Sequence, residues 1–300
     1  MTDMKKIFIL LLFSCALSLG QAASQTLSFL QIPQDPALSG MAGAGVALRS
    51  MSPLENNLAD AALGTDKMRV AASYALWQPK VASYGLLGAS AGYRVMPRLA
   101  VALSVKGFLS PGYELTQANG MTGGTFRPMD LSIAAGAAYQ FSGSMAAGLA
   151  VKFISSSLGE GLKGSTVAAN LSFKYAANGL QAGLSLDNLG APVKYGETSY
   201  SLPMTVKAGA AYTIVGLTAA VEADYVLSGG FMAGLGLQYA FKDMLFARAG
   251  YHLGTSDKVL PSHASVGIGV KFAGVQLDVS YLLAAANISG TLAFGLGYSF

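Results

Sequence analysis

From about residue 67 to residue 300, apolar residues alternate with polar or small ones at a period of two. Leu292, Phe294, Leu296, Tyr298 and Phe300 alternate with Ala293, Gly295, Gly297 and Ser299. Val275, Leu277, Val279, Tyr281 and Leu283 alternate with Gln276, Asp278 and Ser280, and Val266, Ile268, Val270 and Phe272 with Gly267, Gly269 and Lys271. Successive side chains of a strand point to opposite faces, so each run presents one apolar and one polar face. What the apolar face meets follows from composition. Apolar residues make up 52% of the chain and charged ones 11%, against roughly 25% charged in soluble domains. So few charges cannot clothe a surface in water, and so apolar a chain is not disordered. A spanning helix needs about 18 apolar residues in a row, whereas the N-terminal apolar run covers only Ile7–Phe13. The remaining solution is an all-β fold, a closed transmembrane antiparallel β-barrel with its apolar parity in lipid.

The alternation predicts strands near 68–77, 81–95, 98–108, 127–139, 143–155, 163–177, 179–188, 202–213, 215–227, 229–241, 243–253, 262–272, 274–284 and 289–300. That is fourteen, an even number as bacterial outer-membrane barrels require. Connections after even strands are short: Met96-Pro97, Phe141-Ser142-Gly143, Ala177-Asn178-Gly179, Ile214-Val215, Lys242-Asp243 and Ala273-Gly274. Several after odd strands are longer, at 109–126, 156–162, 189–201 and 254–261, as expected of outer loops opposite periplasmic turns. Tyr93, Tyr139, Tyr175, Tyr212, Tyr239, Phe272 and Tyr298 lie near the ends of even strands on the apolar parity, and Phe153, Tyr225, Tyr251 and Tyr281 lie towards the other rim. Two such belts match the aromatic girdles of a membrane barrel. The opposite parity carries Lys106, Asp130, Lys152, Lys174, Lys207, Glu222, Asp224, Arg248, Lys271 and Asp278. Their mixed signs predict ion pairs inside the lumen, because Arg or Lys facing mid-bilayer lipid costs about 2–4 kcal/mol.

The first residues predict a secretory signal peptide over 1–23: Lys5 and Lys6, an apolar run, then small residues with cleavage after Ala22 or Ala23. Cys15 offers a lipoprotein box, but Ala16 to Leu19 continue the apolar stretch. An ordinary cut would remove the only cysteine and leave no disulfide. At the other end, a last strand closing on Tyr298 and Phe300 resembles the assembly signal of outer-membrane barrels. Residues 24–66 lack alternation, contain Pro33, Pro36 and Pro53, and run through Gly40, Gly43 and Gly45. No Lys-Ser or Lys-Thr follows these glycines, so they do not form a phosphate loop. Phe29, Leu30, Ile32, Leu38, Met41, Val46, Leu48, Leu54 and Leu58 make the segment too apolar for a free leader. It reads as a plug inside the barrel of residues 67–300, where many lumen-facing positions are Gly, Ala or Ser.

Three stretches carry a family resemblance: Phe29-Leu30-Gln31-Ile32-Pro33, Ala37-Leu38-Ser39-Gly40-Met41-Ala42-Gly43-Ala44-Gly45-Val46, and Ser52-Pro53-Leu54 with Asn57-Leu58-Ala59. Together they resemble the N-terminal region of the PorV/PorQ family, FadL-like outer-membrane barrels of Bacteroidota-type bacteria with fourteen strands and an N-terminal hatch. The opening Phe-Leu-x-Ile-Pro is more similar to the PorQ branch. One departure is Asn57-Leu58-Ala59, where the family usually shows Asn-Pro-Ala. The resemblance implies a hatch using Phe29, Leu30, Pro33, Gly43, Gly45 and Asn57, a Gram-negative outer membrane of the Bacteroidota type, and a part in type IX secretion. In that role the outer loops would hold cargo or another secretion protein, with Tyr113, Leu115, Phe126, Val193 and Tyr195 as contact material. The alternative is a FadL-like channel in which a small hydrophobic ligand binds in the lumen.

Enzymatic readings are weak. The two histidines, His252 and His263, flank one predicted outer loop containing Asp257, and Ser256 or Ser262 would complete a nucleophile arrangement only on paper. Two His and one Asp fall short of a metal set, so no cofactor and no metal is expected, and solvation in the loop is the simplest place for both imidazoles. The net charge of +4 is too small and scattered for nucleic acid. Lipid is the expected surroundings.

Overall fold

The computed structural model describes residues 26–116, 121–285 and 287–300; the expected signal peptide and its cleavage sites lie outside them. Eighteen strands follow in chain order: β1 Met68–Trp77, β2 Tyr84–Met96, β3 Leu99–Leu109, β4 Tyr113–Thr116, β5 Thr122–Phe126, β6 Met129–Ser142, β7 Met145–Gly159, β8 Leu162–Ala177 and β9 Leu180–Gly190. They continue with β10 Val193–Tyr195, β11 Thr198–Tyr200, β12 Thr205–Ile214, β13 Leu217–Val226, β14 Gly230–Phe241, β15 Leu245–Gly254, β16 His263–Phe272, β17 Val275–Leu283 and β18 Leu292–Ser299. Fourteen of them form a closed barrel in the order β1-β18-β17-β16-β15-β14-β13-β12-β9-β8-β7-β6-β3-β2. Every neighbouring pair is antiparallel, and β1 closes on β18 from Arg69 opposite Ser299 to Leu76 opposite Leu292. The other four strands form two hairpins, β4–β5 and β10–β11, within long connections.

All fourteen strands read from the alternation are present, and the differences lie at their ends. β12 starts at Thr205, after Pro203, because proline cannot donate to a ladder. β7 and β8 extend until only Glu160 and Gly161 join them, so the long loop expected at 156–162 is absent. The tight turns at Asn178-Gly179, Lys242-Asp243 and Ala273-Gly274 fall where they were read, and the one expected at Ile214-Val215 falls one residue later, at Val215-Gly216. Both central residues of each have positive φ, the geometry whose twist matches two-residue hairpins. Val215 adopts φ 46 despite its branched Cβ, and its side chain is 93% exposed. The two loop hairpins had no long alternation to announce them.

The outer surface carries the apolar parity. Leu103, Leu149, Val151, Leu237, Ile268 and Leu296 are all exposed on it, and so are Tyr93, Tyr139, Tyr212, Tyr239, Phe272 and Tyr298 near the turn end. Phe153, Tyr225 and Tyr251 are exposed nearer the loop end, while Tyr175 and Tyr281 are half-buried. An apolar surface this continuous is satisfied by lipid, not water.

Inside, residues 26–67 run through the lumen in short helical turns: a 3-10 turn at Ser28–Gln31, then Pro36–Ser39, Pro53–Asn56 and Asp60–Leu63. Phe29, Leu30 and Ile32 pack near the loop end with Trp77, Leu86, Ile154, Val193 and Leu282. Leu54, Leu58, Ala59, Ala61 and Ala62 pack deeper, against Ala100, Ala102, Ala134, Ala138, Ala146 and Ala150. Small wall residues make this approach possible. A Cβ on Gly183 would collide with the Val46 carbonyl, and one on Gly40 would stand 3.0 Å from the Gly267 Cα.

The lipid-facing parity is open to a direct test. Val151→Arg on β7, whose native side chain is exposed, should lower unfolding free energy by about 2–4 kcal/mol in urea titrations from lipid vesicles. An unchanged midpoint would mean that this face does not meet hydrocarbon.

Candidate functional site

The charges of the lumen wall pair with one another, as the mixed signs suggested, only in part; Lys106, Lys152, Lys174 and Glu222 hold the N-terminal segment. Asp60 takes Arg69 Nη1 and Lys174 Nζ, each at 2.6 Å, and all three residues are buried. Glu55 lies 3.6 Å from Lys152 Nζ and accepts from Ser104 Oγ at 2.5 Å. Lys106 Nζ donates to the Ile32 carbonyl at 2.6 Å and the Leu30 carbonyl at 3.4 Å. Glu222 Oε2 accepts from the Gly45 and Val46 amides at 2.7 and 2.5 Å. Two pairs stay within the wall: Arg248 with Asp278 at 2.6 Å, and Lys207 with Asp187 at 3.4 Å. Asp130 is half-buried, opposite Ser156 in the β6–β7 register, and half-buried Lys271 lines the turn-end vestibule.

The segment's own carboxylates explain why the wall cations are there. Burial alone would push the Asp60 carboxyl up, but Lys174 and Arg69 outweigh it and hold the group well below the usual carboxylate range. At Glu55, burial also acts upwards, and Lys152 with Lys106 brings the net shift down. Both groups are therefore ionised at neutral pH. Asp35 accepts from the Ala37 amide at 3.0 Å, the Ser50 hydroxyl at 2.7 Å and the Met51 amide at 3.0 Å, folding the segment back on itself. Sequence reasoning missed Asp35, Glu55, Asp60, Arg69 and Asp187. The usable signal was an imbalance: on the neighbouring strands β3, β6, β7 and β8 the lumen parity carries Lys106, Lys152 and Lys174 but one carboxylate, Asp130, which pairs with none of them.

Of the hatch candidates, Phe29 and Leu30 are buried in the loop-end layer, and half-buried Pro33 lies against Gly43. Gly43 (φ 79) follows Ala42 (φ 55), and its amide donates to the Leu38 carbonyl at 3.0 Å, ending the short helix. Gly45 supplies one of the amides held by Glu222. Buried Asn57 donates to the Val46 carbonyl at 2.8 Å and the Phe173 carbonyl at 3.0 Å, and accepts from the Ala59 amide at 3.1 Å.

The loop candidates divide. Tyr113 and Phe126 lean on each other across the β4–β5 hairpin, ring centroids 5.7 Å apart, with Tyr113 exposed. Leu115 lies on the same hairpin. Tyr195 and Val193, expected on a contact surface, are instead buried. The β10–β11 hairpin folds into the barrel mouth, because their apolar side chains close the layer over Phe29 and Ile154. The histidines need a similar correction. His252 and His263 are buried strand residues, stacked at 4.8 Å, and are not solvated in a loop. His252 Nδ1 lies 3.3 Å from the Ala42 carbonyl and His263 Nδ1 2.8 Å from that of Pro261, while Ser262 Oγ bonds Gly254, so no nucleophile triad is assembled.

Three spaces follow one another along the lumen. A loop-end vestibule of about 550 Å³ is walled by Trp77, Tyr84, Phe108, Val259, Leu260 and Ile288. A central cavity of about 60 Å³ lies below it, sharing Ile32, Trp77 and Leu260 with the vestibule, and is lined by Lys152, Asp187, Lys207, Glu222, Asp224, His252 and His263. A turn-end vestibule of about 350 Å³ is lined by Arg49, Arg248, Lys271, Gln181 and Gln238. The N-terminal segment walls all three, through Ile32 at the loop end, Gly43 and Glu55 at the centre and Leu38 and Ser50 at the turn end.

Asp60→Asn should remove the central anchor, leaving Lys174 without its carboxylate and Arg69 with only Asp66 at 3.5 Å, costing about 3–5 kcal/mol. Because the Asp60 carboxyl sits low when folded, its contribution is full above the ordinary carboxylate range and fades as pH falls from about 5. Urea midpoints at pH 7 and pH 3 should therefore differ less in the variant than in the parent; equal pH dependence would contradict the pairing.

No family model matches the chain, and none of the curated proteins compared with it does. Solved structures do. The toluene transporter TbuX of Ralstonia pickettii superposes with a TM-score of 0.67 at 11% identity, over 90% of this chain and 99% of that one. The monoaromatic hydrocarbon channel CymD gives 0.65 at 13%, over 90% and 98%. A FadL homologue from Pseudomonas aeruginosa gives 0.57 at 12%, over 90% and 96%. At such identities the likeness is one of fold: this chain is a fourteen-stranded transmembrane barrel of the kind found in FadL-like outer-membrane transporters.

Proposed function

We propose that the protein is an outer-membrane passage for small hydrophobic molecules, with the N-terminal segment as its hatch. One observation carries this reading: two vestibules open at opposite ends of one lumen, and only residues of that segment and a small charged cavity stand between them. Long connections face the outside and tight turns the periplasm in such barrels, which puts the aromatic vestibule outside. Its volume falls in the range of small-molecule pockets, about 300–1,000 Å³. An apolar molecule leaves water for the walls of Trp77, Tyr84 and Phe108, which favours entry. The central cavity is too small to pass it, so the segment must shift. The barrels of similar fold include a toluene transporter and a monoaromatic hydrocarbon channel, which supports a passage role, and nothing in the arrangement calls for covalent chemistry.

A part in type IX secretion, and membership of the PorV/PorQ family with its Bacteroidota-type host, rest on the resemblance of residues 29–63 alone. Tyr195 and Val193 are closed inside the mouth, which leaves the β4–β5 hairpin as the candidate contact surface. We therefore prefer the passage.

Deleting residues 26–60 should leave a folded barrel, seen as heat-modifiable mobility in gels, and open a steady conductance in planar bilayers. The intact protein should speed uptake of labelled toluene into proteoliposomes. No uptake, together with a protein partner recovered by mild crosslinking from outer membranes, would replace the passage with the secretion role.

A further inference from the structure

We propose that the central cavity binds the ammonium group of a small amphipathic amine whose apolar body lies in the aromatic vestibule above it. The inference rests on the passage reading and names its ligand class. Four carboxyl groups line the cavity, Glu55, Asp187, Glu222 and Asp224. Three are held by donors: Glu55 by Ser104 and Lys152, Asp187 by Lys207 at 3.4 Å, and Glu222 by the Gly45 and Val46 amides. Asp224 is not. It is 8% exposed, and its Oδ1 makes no hydrogen bond although Lys207 stands opposite it in the β12–β13 register. A buried carboxylate oxygen without a donor is costly, and the cavity beside it is where a donor would fit.

A second atom points to the same place from another strand. His252 lines the cavity and is 6% exposed, and its Nε2 makes no hydrogen bond of good geometry, with the Leu260 carbonyl as its near neighbour. Between Glu222 and His252 the register places Gly234, over which Ala42 and Ala44 of the N-terminal segment pack, so this segment lies beside both groups. An ammonium carries three donors and no acceptor, which suits an unmatched carboxylate oxygen and an imidazole nitrogen. The hydrogen bond between Glu222 and Asp224 needs one proton, so the four carboxyl groups carry three negative charges against Lys152 and Lys207, an excess of one. The walls above suit the rest of such a molecule, since Trp77, Tyr84 and Phe108 offer aromatic faces that attract cations as well as apolar groups.

Trp77 is the only tryptophan of the chain and lines both spaces, so its emission reports occupancy. Purified protein in detergent is titrated with phenethylamine and with two isosteres, neutral ethylbenzene and anionic phenylacetate. The amine should bind at least about tenfold more tightly than either, a difference of about 1.4 kcal/mol. Asp224→Asn, which keeps the side-chain shape, should erase that preference while leaving ethylbenzene binding unchanged; His252→Gln should reduce it partly. Gel mobility verifies that each variant is folded. Equal affinity for amine and ethylbenzene, or an amine preference that survives Asp224→Asn, overturns the proposal and leaves the hydrophobic passage standing. Binding of none of the three overturns both.

Discussion

In hydrocarbon every backbone N–H and C=O must find its partner inside the protein, and that requirement governs the rest of this molecule. A sheet meets it only by closing on itself. Here β1 and β18 pair over eight positions, so no edge is left in the bilayer. Closure then divides the side chains strictly by parity. One set faces lipid and must be apolar; the other faces a tube about which the membrane has nothing to say.

A fourteen-stranded tube is too wide for its own side chains to fill, so something else occupies it. The chain uses its N-terminal segment. Helical turns of four residues satisfy part of its backbone, and the wall supplies the rest: Glu222 takes two amides, Lys106 two carbonyls and Asn57 reaches across to the Phe173 carbonyl. Apolar contact adds to this near each end, with the two networks of charge between them. Buried ion pairs of this type are weak sources of net stability, because desolvation offsets their attraction. Their value lies in specificity: a segment seated by Asp60 between Arg69 and Lys174 has one register in the lumen. Its attachments are polar and local, which also suits a part that moves.

The barrel was legible because its code is one-dimensional. Period two, the position of tight turns and the parity of charge each follow from a single strand read alone, and all fourteen strands could be placed from them. Boundaries moved where local chemistry intervened, as at Pro203 before β12. The lumen was legible only in outline. Residues 24–66 could be read as a plug from their apolar content, yet the pairing of Asp60 with Lys174 spans 114 positions and leaves no periodic trace. For the same reason His252 and His263 read as loop residues, although they sit opposite each other across β15 and β16. Tyr195 read as an outer contact because a loop of that length gives no sign that it folds inward.

A passage of this kind needs the segment both to fill the lumen and to yield when a molecule goes through. Ala42 and Ser265 lie side by side, the Ala42 amide 2.8 Å from the Ser265 hydroxyl, and Cys15 is the only native cysteine. A disulfide between Ala42→Cys and Ser265→Cys would tie the segment to β16. Uptake of labelled toluene into proteoliposomes should stop when that bond is oxidised and return on reduction. Uptake at the same rate in both states would contradict the account.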